Sequence, residues 1–339
     1  MRKQDIDFVE RELALEPTTF HYFDGREALL LLALRVGAGG SSVAALKRGP
    51  NARWLQRPVV QRCLERLQGR RVTAGDLLGH WEGLAGPSWT SRARLLPYHL
   101  SFGRWGSADV QDREWHQMSR AGWNLVLRLN FTSQHDREFR RRLRPELWWN
   151  AGRTLHPIDP DRFTLAWTRI DVDLETREAL IEEIQSDWVR DVRECEEAKA
   201  RGEVRGSRSW RGCAQSARLE DLRDYRRRTL APHMRVWARA ALTATVARLV
   251  RRFRIHTLWH HTPDTGVAMK GIWWGDPPPR SLYTDLPRRF GFEVTDEIPE
   301  WVFTHSRGKQ RYHLARRNPR FHVLRLDPEH VEECAPLLV

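Results

Sequence analysis

Cysteine, methionine, tyrosine and lysine are all scarce in this chain. Its 339 residues include four Cys, four Met and five Tyr, and only five of its 57 basic residues are lysine. Cys63, Cys195, Cys213 and Cys334 lie far apart and form no C-x-x-C pair, which argues against a zinc knuckle or a disulfide framework. Such usage fits a reducing compartment, so a cytoplasmic location is expected. Long apolar runs are missing too. The longest, Ala28 to Leu34, is far shorter than the roughly 20 residues that cross a bilayer, so no membrane association is expected. Met1-Arg2-Lys3-Gln4-Asp5 opens on mixed charges with no apolar segment after it, unlike a secretory signal. Gly37-Ala38-Gly39-Gly40-Ser41-Ser42 is rich in glycine, but no G-x-x-x-x-G-K-[ST] follows, which excludes a P-loop.

Arginine and tryptophan are abundant instead. The formal net charge is +13, hydrophobic residues make up 40% of the chain and charged residues 30%. That is a globular composition, with enough positive charge to attract a polyanion, a nucleotide or nucleic acid. Arginine suits bidentate phosphate contacts, although so strong a preference over lysine also arises from GC-rich coding. The 16 tryptophans, several of them paired or beside arginine, suit core packing first and base stacking second.

The pattern predicts an α+β fold: a mixed, largely antiparallel central sheet with helices on both faces, preceded by a helical N-terminal region. Three segments are expected: a helical region over 1–92, an α/β domain over 93–305, and a basic, turn-rich tail over 306–339. Strands are read at 96–102, 123–131, 163–173 and 179–186, the last two as a hairpin across a polar turn. A helix follows over 187–200 and a longer one over 232–253, whose Arg235, Arg239 and Arg248 lie off the apolar stripe. A strand over 255–261 comes next, then a short helix ending at Gly291, with closing strands at 292–294 and 301–304.

The segment Ala179-Leu180-Ile181-Glu182-Glu183-Ile184-Gln185-Ser186-Asp187-Trp188 is the most informative. An apolar strand has no packing reason to carry two carboxylates and an amide, and leaving them buried without partners would cost several kcal/mol each. A ligand, a metal, a basic partner or a structural network would satisfy them. Strict alternation puts Glu183, Gln185 and Asp187 on one face and Glu182 and Ser186 on the other. His260 and His261 end the next core strand, which permits acid–base work with a carboxylate, or a metal site. Ser186 also fits a helix N-cap. Asp171 and Asp173 read as residues of the hairpin edge. Lys270, Arg235 and Arg239 are candidate substrate contacts because of their charge.

This order of elements resembles the GCN5-related N-acetyltransferase (GNAT) architecture over about residues 95–305. Tyr283 to Phe292 is similar to that family's Y-x-x-x-G-F ending, and the resemblance implies that Tyr283 is a general acid. It implies a transferase centred on Glu183, Gln185, Asp187, His260 and Tyr283, with Ser186, Lys270, Arg235 and Arg239 towards the substrate. The family's acyl-CoA pyrophosphate loop, Q/R-x-x-G-x-G/A, exposes backbone N–H groups at a helix N-terminus. Here Gln185-Ser186-Asp187-Trp188-Val189-Arg190 stands there without a glycine. Glu183 to Trp188 is also similar to an E-[IV]-Q-S-D-W segment found in multidomain proteins of phages and mobile elements, as Ala268-Met269-Lys270-Gly271 is to a G-M-[KR]-G-like segment there. Two functions are therefore expected. One is a GNAT-like acyl- or aminoacyl-transferase acting on a charged or nucleotide-bearing substrate, such as a tRNA-linked one. The other is a non-catalytic nucleic-acid-binding accessory protein of a phage or mobile element.

Overall fold

A computed structural model describes residues 1–16, 18–49, 51–67, 69–84, 95–107, 117–143, 156–202, 217–270, 279–306, 314 and 319–338. The fold is α+β. Its eight strands are β1 (Thr19–Tyr22), β2 (Leu96–Ser107), β3 (Gly122–Asn130), β4 (Thr164–Asp173), β5 (Glu178–Gln185), β6 (Thr257–His261), β7 (Glu293–Thr295) and β8 (Phe321–Arg325). They form one open sheet in the order β1-β2-β3-β4-β5-β6-β8-β7. Every neighbouring pair is antiparallel except β5 with β6.

Alternation in the strands explains the packing. In β5 and β6, Ala179, Ile181 and Leu258 join the main core, whereas Leu180 and Trp259 join a second cluster with Phe321, Val323 and Trp301. Successive residues thus serve two apolar layers, which is why these strands read as nearly continuous hydrophobic runs. The long helix Trp237–Phe253 contributes Leu242, Val246, Leu249 and Phe253 to the main core and packs on β3, β4 and β5. Helix Arg26–Val36 is buried almost all round because it lies between that helix, helix Ala74–Leu84 and helix Pro328–Cys334.

The sheet corrects the expected three-way division. β1 belongs to the segment read as a helical region, and it pairs with β2 from Thr19 opposite His99 to Tyr22 opposite Leu96. β8 belongs to the segment read as a basic tail, yet it lies between β6 and β7 with four of its five residues buried. Side chains therefore cross all three expected segments within one core. A second correction concerns 301–304, expected as a strand. It is part of helix Glu300–His305, which Pro299 opens and which buries Trp301 and Val302. A four-residue apolar run fits either element, and periodicity alone cannot decide between them.

Between β4 and β5 the register shifts. Ile170 faces Ile181, but Arg169 faces Glu183, so Glu182 is an extra residue in β5. Such a bulge breaks strict alternation and re-aims side chains. The parallel pair is also short. It runs from Glu178 opposite Thr257 to Ile181 opposite His260, and β5 then continues to Gln185 without β6.

Candidate functional site

The bulge and the end of the parallel pair bring the chemistry of the chain together. Glu182 is fully buried, and its carboxylate accepts from Ser119 N at 3.0 Å and Ser119 Oγ at 2.8 Å. His261 Nε2 stands 3.2 Å from the same carboxylate and 3.0 Å from Ser119 Oγ. Its Nδ1 lies 3.2 Å from Thr265 Oγ1. Glu183 is ion-paired with Arg169, whose NH2 also donates to Gln117 O at 3.1 Å. Asp171, at 0% exposure, is held by Arg120 through Nε at 2.5 Å and NH2 at 2.8 Å, and by the Met1 ammonium at 2.9 Å.

One segment thus reaches three of these groups. Gln117 engages Arg169, Ser119 engages Glu182, and Arg120 engages Asp171. Gln117 takes a φ of 53°, a left-handed conformation rare outside glycine. Arg120 also stacks over the Trp301 ring at 4.5 Å. Burial pushes the Asp171 carboxyl up, but Arg120 and the Met1 ammonium outweigh it and hold the group below the usual carboxylate range.

The expected alternation and the expected histidine both change here. The bulge brings Glu182 to His261, so the imidazole that meets a strand carboxylate is His261 and not His260. His260 turns the other way. Its Nδ1 donates to His261 O at 2.8 Å, and its ring meets Tyr283 at 5.6 Å and His322 at 6.2 Å. Tyr283 is 6% exposed, and its carbonyl accepts from His322 Nε2 at 2.7 Å. Burial raises the Tyr283 hydroxyl pKa well above its ordinary value, with Glu183 adding to the effect and Arg169 opposing it. Asp171, expected at a hairpin edge, is a buried ion-pair member because β4 faces the core on both sides.

At the strand end, Asp187 accepts from Trp167 Nε1 at 2.9 Å, Gln185 Nε2 at 2.5 Å and Arg190 NH2 at 2.6 Å, and lies 3.0 Å from His156 Nδ1. Burial raises its pKa, but His156, Arg190 and Trp167 more than offset this, and the net shift is downward. Gln185 also lies 3.3 Å from His156 Nδ1. Asp187 and Gln185 therefore anchor the start of helix Asp187–Ala200. Ser186 caps the same helix: Val189 N donates to its Oγ at 3.2 Å, and the Oγ donates to Leu165 O at 2.5 Å. The position that corresponds to the family's pyrophosphate loop is filled by the chain's own side chains.

The basic candidates divide. Arg239 pairs with Asp24 and lies 3.6 Å from Glu27, and its NH2 donates to Arg235 O, whereas the Arg235 side chain is exposed. Arg248 is buried on Glu16 at 3.0 Å, contrary to its expected place off the packed face. The Lys270 side chain lies outside the described residues, as do residues 203–216 and most of the basic stretch from 307. Many other arginines are matched: Arg142 and Arg228 by Asp224, Arg226 by Glu196, Arg252 by Glu12 and Arg325 by Glu297. Many of the arginines are thus engaged within the fold. Burial pushes the Cys63, Cys195 and Cys334 thiols up to about 11, which fits packing and not nucleophilic chemistry. Among the described residues no group of three His, Cys, Asp or Glu is placed to hold a metal ion, and no helix is long and apolar enough to cross a membrane.

Ser119, Arg120 and Arg169 escaped sequence reasoning. Arg169 carried a signal, since a strand buried on both faces must pair an internal arginine. The loop residues Ser119 and Arg120 carried none. Compared with known families, curated proteins and solved structures, the chain matches none.

Proposed function

We propose that this chain is a GNAT-like transferase, with helices on both faces of its sheet, that moves an acyl or aminoacyl group onto a charged or nucleotide-bearing acceptor in the cytoplasm. The observation that carries the proposal is the parting of β5 from β6 beyond Ile181 and His260. In open sheets, ligands bind outside the carboxyl ends of parallel strands. Beside that point lie Glu183, His260 and Tyr283, three of the five catalytic candidates, all buried. Gln185 and Asp187 become positioning residues that fix the helix start beside it.

The chemistry follows from protonation states. In the neutral form, His260 donates through Nδ1 to His261 O, which leaves the lone pair on Nε2 as the base. Glu183, ion-paired with Arg169, supplies fixed negative charge near Tyr283. The acceptor's nucleophile attacks the acyl carbon, its proton passes to His260 Nε2, the bond to the leaving atom breaks, and Tyr283 gives its proton to that atom. An ordinary thiol, at about 8.5, is already a stronger acid than a phenol at about 10. The raised pKa of Tyr283 widens that gap. Its proton therefore suits a leaving alkoxide better than a leaving thiolate, which favours an ester donor over acyl-CoA. The filled helix start at Ser186 and Asp187 favours the same choice.

The test is transfer from an aminoacyl ester and from acetyl-CoA to amine acceptors. Tyr283→Phe should lower kcat about 100-fold or more with the ester donor while leaving Tm unchanged. Turnover with neither donor, or full activity in the variant, would overturn the proposal. A non-catalytic nucleic-acid-binding accessory protein would instead show an affinity that falls steeply with salt and ignores Tyr283.

A further inference from the structure

A second polar region lies apart from the strand ends. It is a groove of about 600 Å3, within the range of roughly 300–1,000 Å3 typical of small-ligand sites. Arg53 and Arg57 line it from one wall, Arg239 from the long helix, and Arg288 and Arg289 from the facing wall. Asp285 is the one lining carboxylate among the described residues.

The walls are fixed to each other. Trp54 Nε1 donates to Arg289 O at 3.1 Å, and Arg53 NH1 donates to Arg288 O at 3.2 Å. Gly291 holds a φ of +78° against the Trp54 ring, and a β-carbon there would stand 2.8 Å from the indole. A side chain at that position would force the walls apart. The floor is built as well. Glu27 is 1% exposed, accepts from the Tyr22 hydroxyl at 2.7 Å and from Arg289 Nε at 2.9 Å, and lies 3.6 Å from Arg239 NH1. The buried Glu27 and the exposed Asp24 together therefore hold two guanidiniums that still line the groove. Among the described residues Arg57 has no acidic partner, and the acid paired with Arg288 is Asp285 on the exposed rim, at 2.7 Å.

Five guanidiniums line one groove, and a multivalent anion there would meet several of them at once. Their planar forks match phosphate oxygens in pairs. We propose that this groove binds the phosphate or diphosphate of a nucleotide-sized ligand, with Arg57 and Arg288 closing on it above the Arg239–Glu27–Arg289 floor. The inference rests on the groove alone and does not depend on Tyr283 taking part in chemistry.

The experiment is calorimetric titration of the full chain with inorganic pyrophosphate and with ADP, at about 50 mM and then about 200 mM salt. Both ligands should bind, and Arg57→Gln with Arg288→Gln should weaken pyrophosphate binding roughly tenfold or more without lowering Tm. Arg140→Gln with Arg141→Gln removes the same charge from the exposed face of helix Ser133–Leu143 and should leave binding within about twofold. No binding at millimolar ligand, binding only of single-stranded oligonucleotides, or equal weakening by the Arg140/Arg141 pair would each overturn the proposal.

Discussion

Beneath the segment from Gln117 to Arg120, three buried carboxylates meet a matching set of donors. Asp171 has Arg120, Glu182 has Ser119 and His261, and Glu183 has Arg169. In the groove between Trp54 and Gly291, five arginines share a surface with one lining carboxylate among the described residues. Both regions draw on the same residue types, and burial decides what each can do. A charge without access to water must find its partner inside the fold, so the first region is architecture as much as chemistry. A charge left at a solvent-open wall can wait for a partner from outside.

Breaking the Asp171–Arg120 pair should have the largest effect. Asp171→Asn leaves Arg120 and the Met1 ammonium buried without their carboxylate, and the loss in denaturant unfolding should be about 3–5 kcal/mol. A loss below about 1 kcal/mol would mean that water reaches this face. The pair also sets a pH response. The pKa of Asp171 is depressed in the folded state, so its stabilisation is complete above the unfolded carboxylate value of about 3.9 and is lost as pH falls below that towards the depressed folded value. The gap in stability between wild type and Asp171→Asn should therefore narrow between about pH 5 and pH 2.

Ser119→Ala comes next. It removes the hydroxyl shared by Glu182 and His261 while leaving both buried, and should cost about 1–3 kcal/mol. Ser186→Ala removes a helix cap and should cost about 1 kcal/mol, read from the same unfolding curves. The groove pair Arg57→Gln and Arg288→Gln should change stability by less than about 0.5 kcal/mol, because neither side chain is buried. A large loss there would erase the contrast between the two regions.

The sequence made one of these regions far more legible than the other. β5 and the helix after it were readable, because an apolar run with a Ser cap and polar neighbours has few other solutions. The hairpin of β4 and β5 followed from spacing. What alternation could not reveal was the bulge, a single added residue that exchanges His260 for His261 as the partner of a carboxylate. The groove was harder still. Arg239 stood out on its helix, but Arg53, Arg57, Arg288 and Arg289 come from segments more than 200 residues apart, and Glu27 had no reason to be read as their anchor. Periodicity describes one element at a time, whereas these contacts depend on how elements meet.

The strand order carries a consequence for how the chain is made. β8 is synthesised after β7 but lies between β7 and β6, so β7 has no neighbour to join until β8 has emerged. Throughout translation of residues 262–320, β6 presents an unpaired edge bearing Leu258 and Trp259, the sort of surface that invites association with other chains. A ribosome pausing in that interval would hold the molecule at its most adhesive, which makes the late segment a natural point of dependence on chaperones.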